Sequence, residues 1–485
     1  MFSHTITYSL RRPYTIKKLS SLTLTGSRLY ATVKPAPLAD KLSVNSDRLW
    51  RDIHYTAQWS APSPGGVTRL CADENDKKVR DWFKEQLIEL GADYKVSVHH
   101  FEMGLAYRNQ VNATGTQFGV FEGEDNSIPP IAMGSHLDTV ATGGRFDGPL
   151  GVRHSGHLLR VSNIYQVLGA LEVIRSFKEQ GIKTRAPIVL INWTNEEGAR
   201  FFPLLGSSIV YAGRSTVEQA HAAASNDASE LTMGSELKKI GYIGDGPNTF
   251  EEFPISAHFE IHCEQSTDLE KAGKPVGWVE GWQGMTWYDV VFHGENGHAN
   301  TYPMYGRRDA LTGAAKLICE LEKLAYEKNG ASTVTGIHSR PWGACNIQSK
   351  TKITFCLMHK EAEGLEAMGT SIMERVKSIA SLHGLEVETD RTVHLLPGNF
   401  WPEAIDCVRL ACGDKGIASR TGTGHDSTMT TLLCPTAMVF ARAKDGISHS
   451  PKEWTSQEDC AESALVLGKS VLNFDSYLKE KALEK

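Results

Sequence analysis

The residues of this chain best suited to chemistry are histidines and carboxylates set at the ends of apolar runs. Ile131-Ala132-Met133 leads into Gly134-Ser135-His136-Leu137-Asp138, which delivers an imidazole at a strand terminus with a carboxylate just beyond it. Neutral imidazole is a good zinc ligand, and Asp138 is close enough to accept the other ring N–H and fix the tautomer. Gly143-Gly144-Arg145-Phe146-Asp147-Gly148 sets Asp147 among glycines, where the backbone can turn tightly and approach a ligand. The run Ile188-Val189-Leu190-Ile191 ends in Asn192-Trp193-Thr194-Asn195-Glu196-Glu197-Gly198. Two adjacent carboxylates after a buried strand are costly to bury unless something cationic receives them. If the extended geometry continues, Glu196 and Glu197 point to opposite sides, so that one binds metal while the other faces the water that the metal holds. Phe259-Glu260-Ile261-His262-Cys263-Glu264-Gln265 presents His262 and Glu264 on one side, and Gly446-Ile447-Ser448-His449-Ser450-Pro451 adds a loop histidine. Singly, each has a plain reading: a satisfied structural histidine, an aspartate in a solvated turn, exposed loop glutamates. Together they supply three imidazoles, two carboxylates and a spare glutamate, the ligand set of a two-zinc hydrolase that shares one bridging carboxylate.

Such groups need a frame of strands and helices. Glu74 to Leu90 places Val79, Trp82, Phe83, Leu87 and Leu90 on one face, with Gly91 as a C-cap, and predicts an amphipathic helix. Strand-like runs at Ile131 to Met133 and Pro187 to Trp193 flank a helical pattern from Leu168 to Lys178, the rhythm of a largely parallel sheet covered by helices. A different texture occupies roughly Gly284 to Pro397. There a strand at Thr286 to Phe292, a helix from Asp309 to Tyr326, a strand at Lys352 to Leu357 and a helix at Glu363 to Leu382 predict a small inserted α/β domain. The resulting division is a catalytic domain over 40–283 and 398–485, with the insert at 284–397.

Composition removes other classes. At 485 residues the chain exceeds what one core usually organises. A formal charge of −6 and the absence of a basic stripe argue against nucleic acid as a partner. No apolar run approaches the roughly 20 residues that span a bilayer, so no membrane association is expected. Nine cysteines without a Cys-x-x-Cys pair indicate reduced, mostly buried thiols. Residues 1–30 carry Arg11, Arg12, Lys17, Lys18 and Arg28 and no acidic residue, and Arg28-Leu29-Tyr30-Ala31 looks like a processing site. This composition predicts a mitochondrial transit peptide, with a basic tail on a cytoplasmic protein as the alternative.

The order of the motifs resembles the hydantoinase/carbamoylase branch of co-catalytic zinc amidohydrolases, from about Arg48 to the C-terminus. That branch includes β-ureidopropionases, N-carbamoyl-L-amino-acid hydrolases and allantoate amidohydrolases. The resemblance implies an α/β fold, with a di-zinc aminopeptidase-like catalytic domain on a mostly parallel sheet. It also implies an inserted dimerisation or lid domain made of a four-stranded sheet and two helices. It assigns His136, Asp147, Glu197, His262 and His449 as ligands of two zinc ions per subunit, with Asp147 as the bridge; manganese is accepted by the same donors. Metal lowers the pKa of bound water to about 7, so Glu196 would act as the base that takes its proton and returns it to the leaving nitrogen. His298, in Gly297-His298-Ala299-Asn300-Thr301, matches a histidine that stabilises the oxyanion across a homodimer interface. Gln265 and Asn346 match substrate contacts, Ser448 is grouped with them, and Gly424-His425-Asp426 matches a segment near the site. The implied reaction is hydrolysis of an amide or ureido C–N bond in a small molecule such as N-carbamoyl-β-alanine, an N-carbamoyl amino acid or allantoate.

Two departures stand out. Relatives that bind a substrate carboxylate carry arginine where this chain has His359, and imidazole does not replace a bidentate fork. Residues 152–166 also interrupt what would otherwise read Gly-Pro-Leu-Gly-Val-Leu-Gly-Ala-Leu-Glu; a retained intron and a surface loop near the site both account for them. A zinc exopeptidase or aminoacylase would share every ligand, and an inactive binding homologue would keep them without turnover.

Overall fold

Continuous apolar runs, as opposed to alternating ones, are what strands buried on both faces require. The chain, seen here as a computed structural model, is described over residues 33–60, 66–92, 110–143, 165–227 and 230–483. Its early strands are β1 (Gln110–Val111), β2 (Gln117–Phe121), β3 (Ile131–His136), β4 (Ile188–Trp193), β5 (Ala257–Cys263) and β6 (Val276–Trp282). An inserted segment contributes β7 (Gly284–His293), β8 (Gly297–His298), β9 (Ala331–Arg340), β10 (Asn346–Ile347), β11 (Lys350–His359) and β12 (Glu386–Leu395). The chain then adds β13 (Gly398–Asn399), β14 (Gly416–Thr421) and β15 (Thr436–Ala441).

The large sheet runs β1-β2-β4-β3-β5-β15-β6-β13, with β14 also on β6. Its centre is parallel: β3 pairs with β4 and β5, and β15 with β5, while β2 and β6 run antiparallel to their neighbours β4 and β15. Every residue of β3, β4, β5 and β15 is buried. Successive side chains serve two cores. Ile131, Met133, Ile188, Leu190, Phe259 and Ile261 pack with helices Tyr165–Glu179 and Gln457–Leu483, whereas Ala132, Val189, Ile191 and Trp193 pack with Tyr211 on the other face. Each such aliphatic side chain contributes about 1.5–3 kcal/mol when fully buried. Gly134 is needed where β3 meets β4, because a Cβ there would lie 2.0 Å from the carbonyl oxygen of Ile191.

The helix predicted from Glu74 spans Glu74–Glu89, with the Asp73 carboxylate accepting from the N–H groups of Asn75 and Asp76, and it ends before Gly91 at φ +74°. The helix predicted from Leu168 begins at Tyr165, inside the stretch read as extra, and Gln166 is already buried. Residues 1–32, Asp147 and 152–164 lie outside the described residues.

Trp282–Gly398 forms a compact unit of its own. Its sheet, β12-β7-β11-β9, is antiparallel throughout. Helices Ala310–Glu327 and Ala362–Leu382 bury Leu317, Leu321, Leu365 and Ile372 against Val290, Phe292, Ile353 and Phe355. Asp309 caps the first of these helices, accepting from the N–H groups of Leu311 and Thr312, so it precedes the helix instead of beginning it. Four strands and two helices are what the resemblance implies; β9 and β12 had no sequence prediction of their own. Among the described residues all nine cysteines are free, seven of them buried, and no helix is long and apolar enough to cross a membrane.

Candidate active site

Because β3, β4, β5 and β15 are parallel, their C-terminal ends face the same way, and His136, Glu196, Glu197, His262 and His449 gather there, Asp147 lying outside the described residues. His136 ends β3 and is buried. Its Nδ1 lies 2.9 Å from the backbone carbonyl of Asp138. A carbonyl only accepts, so Nδ1 carries the proton and Nε2 the lone pair, the tautomer a metal needs. That Nε2 stands 3.4 Å from Glu196 Oε2. This corrects one expectation: the ring proton goes to the Asp138 carbonyl and not to its carboxylate. The carboxylate instead accepts from the backbone N–H groups of Glu196, at 3.3 Å, and Glu197, at 3.4 Å. Asp138 therefore holds the imidazole with its backbone and the loop after β4 with its side chain.

A second correction concerns the two glutamates. Extended geometry does not continue after β4, because Asn195 sits at φ +58° and Gly198 at φ +62°. Asparagine and glycine tolerate this left-handed region best, and the Asn195 amide locks the turn by donating to the carbonyls of Phe201 (2.7 Å) and Pro203 (3.1 Å). Both carboxylates consequently turn toward His136, and ligand atoms of His136, Glu196 and Glu197 all lie within 4.8 Å of one another.

His449, at φ +52°, brings Nε2 to 3.3 Å from Glu197 Oε2. Next to it, Ser448 Oγ accepts from Gln265 Nε2 at 3.2 Å. The ring of His262 lies 6.2 Å from that of His136 and 4.2 Å from that of His425, whose Nδ1 is 3.9 Å from Glu196 Oε1. Glu264, on the same side of the strand as His262, is used elsewhere: its carboxylate accepts from Ser266 Oγ and from the N–H groups of Asp268 and Leu269. The residue that sequence reasoning passed over is Glu260. It is fully buried, and a carboxylate in a strand buried on both faces was the signal available.

Asp138, Glu196, Glu260 and Asp426 are each at most 6% exposed. Burial, reinforced by the Asp76 charge, pushes Asp138 up to about 7 against the opposing pull of Arg80 and the two N–H groups. Burial drives Glu196 well above the ordinary carboxylate range, helped by the charges of Glu197, Asp426, Glu260 and Asp138. Asp426 is lifted by burial and by Glu260, and Glu260 by burial against its serine hydrogen bonds. A pocket that holds so many acids away from water, all with raised proton affinity, is short of positive charge. A divalent cation would supply it, and neutral imidazoles mixed with carboxylates are the donors that zinc and manganese accept.

His298, Asn346 and His359 belong to the smaller unit. His298 pairs directly with Asn346 across the β8–β10 ribbon, and its Nδ1 accepts from the N–H of Asn300. The ring of His359 lies between backbone groups, with Nε2 3.2 Å from the carbonyl of Lys328 and Nδ1 3.0 Å from that of Glu361.

A buried imidazole–carboxylate cluster at the ends of parallel strands, with a separate antiparallel α/β unit inserted in the chain, defines a class of metallohydrolase. The chain belongs to peptidase family M20/M25/M40, whose family model matches residues 132–473. Within it, the similarities are to amidases of the hydantoinase/carbamoylase type. An N-carbamoyl-L-amino acid amidohydrolase of Geobacillus stearothermophilus is 31% identical over 432 residues, 87% of this chain and 97% of the relative. An N-carbamoyl-L-amino-acid amidohydrolase of Rhizobium meliloti is 32% identical over 435 residues, covering 88% of this chain and 96% of the relative. The crystal structure of a hydantoinase/carbamoylase family amidase from Burkholderia vietnamiensis superposes with a TM-score of 0.80 at 32% identity, covering 89% of this chain and 97% of that one.

Proposed function

We propose that this chain is a metal-dependent amidohydrolase that cleaves the C–N bond of a linear N-carbamoyl or ureido compound. The observation that carries the reading is the convergence of His136, Glu196 and Glu197 within 4.8 Å, in a chain about as long as relatives that act on N-carbamoyl amino acids. His136, Glu197, His262 and His449, with Asp147 as the bridge, would hold two zinc ions, and manganese suits the same donors. The association of His136 with His262, and of Glu197 with His449, supports two positions. When bound, the metal supplies a Lewis acid and brings the pKa of water to about 7.

The protein's own groups divide the remaining work. Glu196, whose proton affinity is raised by burial and by its acidic neighbours, suits a group that accepts a proton from the nucleophile and passes it to the leaving nitrogen. His136 and Glu196 are both buried, which keeps bulk water from competing for that proton. Gln265 and Ser448 would meet substrate, a reading supported by their hydrogen bond to each other beside His449. Asn346 and His298 are paired and exposed, as a histidine offered to a second subunit's substrate would be. The homodimer this implies has support in the exposed apolar side chains of the same unit, Met304 at 78%, Tyr305 at 98% and Trp342 at 87%.

The test is a substrate panel of N-carbamoyl-β-alanine, N-carbamoyl amino acids and allantoate, read by ammonia release and run beside dipeptides read by amino-acid release. Metal-dependent ammonia release from the first group is expected. Dipeptide cleavage without ammonia release would assign an exopeptidase, and inactivity on both by protein with bound metal would assign a binding homologue.

A further inference from the structure

We infer that Glu260 is a positioning residue whose single carboxylate fixes the spacing of the metal-binding histidines by tying three separate elements together. This rests on the metal-dependent function proposed above.

The backbone does not do this by itself. The ladder between β3 and β5 runs from Ile131↔Ala257 to Met133↔Phe259 and stops there, short of both His136 and His262. Past that point the Glu260 side chain bridges the two strands. Its Oε1 accepts from Ser135 Oγ at 2.7 Å, and Ser135 is bonded directly to His136 in the chain. Its Oε2 accepts from both the N–H (3.0 Å) and the Oγ (2.5 Å) of Ser427, in the first turn of the helix Asp426–Thr430. That helix is capped at His425, the residue whose ring lies 4.2 Å from His262. One carboxylate thus joins the tip of β3, the middle of β5 and the start of a helix, each carrying a histidine of the cluster.

The choice of residue argues for position over bulk. An apolar side chain would fill the same volume without burying a charge, whereas a fully buried carboxylate is tolerated only when its acceptor capacity is met by charge-assisted hydrogen bonds. Here three donors meet it, and all three come from segments that carry the site. Groups that orient metal ligands at one remove typically change metal affinity about 10–100-fold when removed.

The experiment compares the full-length wild type with Glu260→Gln, Ser135→Ala, Ser427→Ala and the combinations. Zinc affinity is measured by chelator competition, and the thermal midpoint is measured on the metal-free proteins. Glu260→Gln is expected to weaken zinc binding roughly 10–100-fold. Ser135→Ala and Ser427→Ala should each weaken it several-fold and add little on top of Glu260→Gln, because all act through one network. The metal-free midpoints should stay close to that of the wild type. Wild-type affinity in the variants, or a loss of affinity fully matched by a loss of metal-free stability, overturns the inference and leaves a merely structural glutamate. If Glu260→Gln fails to fold, the serine variants, which keep the carboxylate, decide the matter by the same two readouts. A wild-type protein that takes up no metal would overturn the proposed function as well, and is recognised by its own titration.

Discussion

Replacing Asp138 separates two tasks that one residue performs, since its carbonyl holds the His136 ring and its carboxylate holds the backbone of Glu196 and Glu197. In Asp138→Ala the carbonyl remains but two N–H groups, one buried and one partly so, lose their acceptor. Turnover and zinc affinity are expected to fall about 10–100-fold, with His136 still a ligand, as metal analysis and steady-state kinetics would register. Glu196→Gln should act differently: turnover drops roughly 100-fold or more while the bound metal is retained. Loss of metal from that variant would make Glu196 a ligand and remove it as the base. The histidines and acids of the cluster were legible in the sequence because histidine and acid after an apolar run have few inexpensive explanations. Their orientation was not. The left-handed turn at Asn195, which swings both glutamates to one side, follows from a local hydrogen bond that no periodicity reveals, although Asn before Glu-Glu-Gly was a hint.

Strands that are buried on both faces announce themselves as apolar runs, and β3, β4 and β15 are of that kind. By contrast β9 and β12, half exposed and rich in Thr, Ser, Glu and Asp, carry no such signature and are held by their neighbours β11 and β7. Glu260 was missed although it shares the face of His262 and Glu264 in the alternation: a carboxylate there reads as one more polar position, and only the burial of β5 on both faces sets it apart. The tight seam between β3 and β4 gives a test at this scale. Gly134→Ala places a methyl group 2.0 Å from a backbone oxygen that cannot step aside without moving the strand that leads to Glu196. A loss of about 2–4 kcal/mol in urea unfolding is expected, with weaker metal binding in whatever folded protein remains. His258, on β5, reports on the same sheet. Burial pushes it down to about 3 from the ordinary 6.5. As pH falls from 6.5 toward 3 the unfolded chain takes up the proton and the folded one does not, so this contribution to stability is whole above 6.5 and gone near 3. His258→Asn should flatten that acid limb by an amount on the order of a few kcal/mol, seen as the difference between wild-type and variant unfolding free energies at pH 7 and pH 4.

For the molecule as a whole, the crowd of buried acids is expected to make stability depend on metal and pH together. Without metal, Asp138 is a carboxyl held up to about 7 from the ordinary 3.8, so stability falls as pH rises from 3.8, where the unfolded chain gives up the proton, to about 7, where the folded one does too. Chelation is therefore expected to lower the melting temperature, by several degrees at saturating metal, and the gap should widen from about pH 5 to about pH 7 in calorimetry with and without chelator. Equal melting temperatures in both conditions would show that the acidic cluster folds without a cation. Legibility at this scale was uneven. The presence of an inserted unit was visible as a change of texture, whereas its full complement of strands came only from the resemblance.

Where that unit begins and ends, Trp282 Nε1 donates to the carbonyl of Leu396 at 2.9 Å, and Gly398 has no room for a Cβ because the indole ring lies 2.3 Å from where one would be. The outgoing and returning strands are thus riveted to each other at the point of insertion. To the rest of the chain, more than a hundred residues present themselves as a hairpin would, with an aromatic clasp at the point where the loop closes. A module bounded in this way closes on itself at its own ends, so its interior can change in length or shape while the two strands that enter and leave it keep their places.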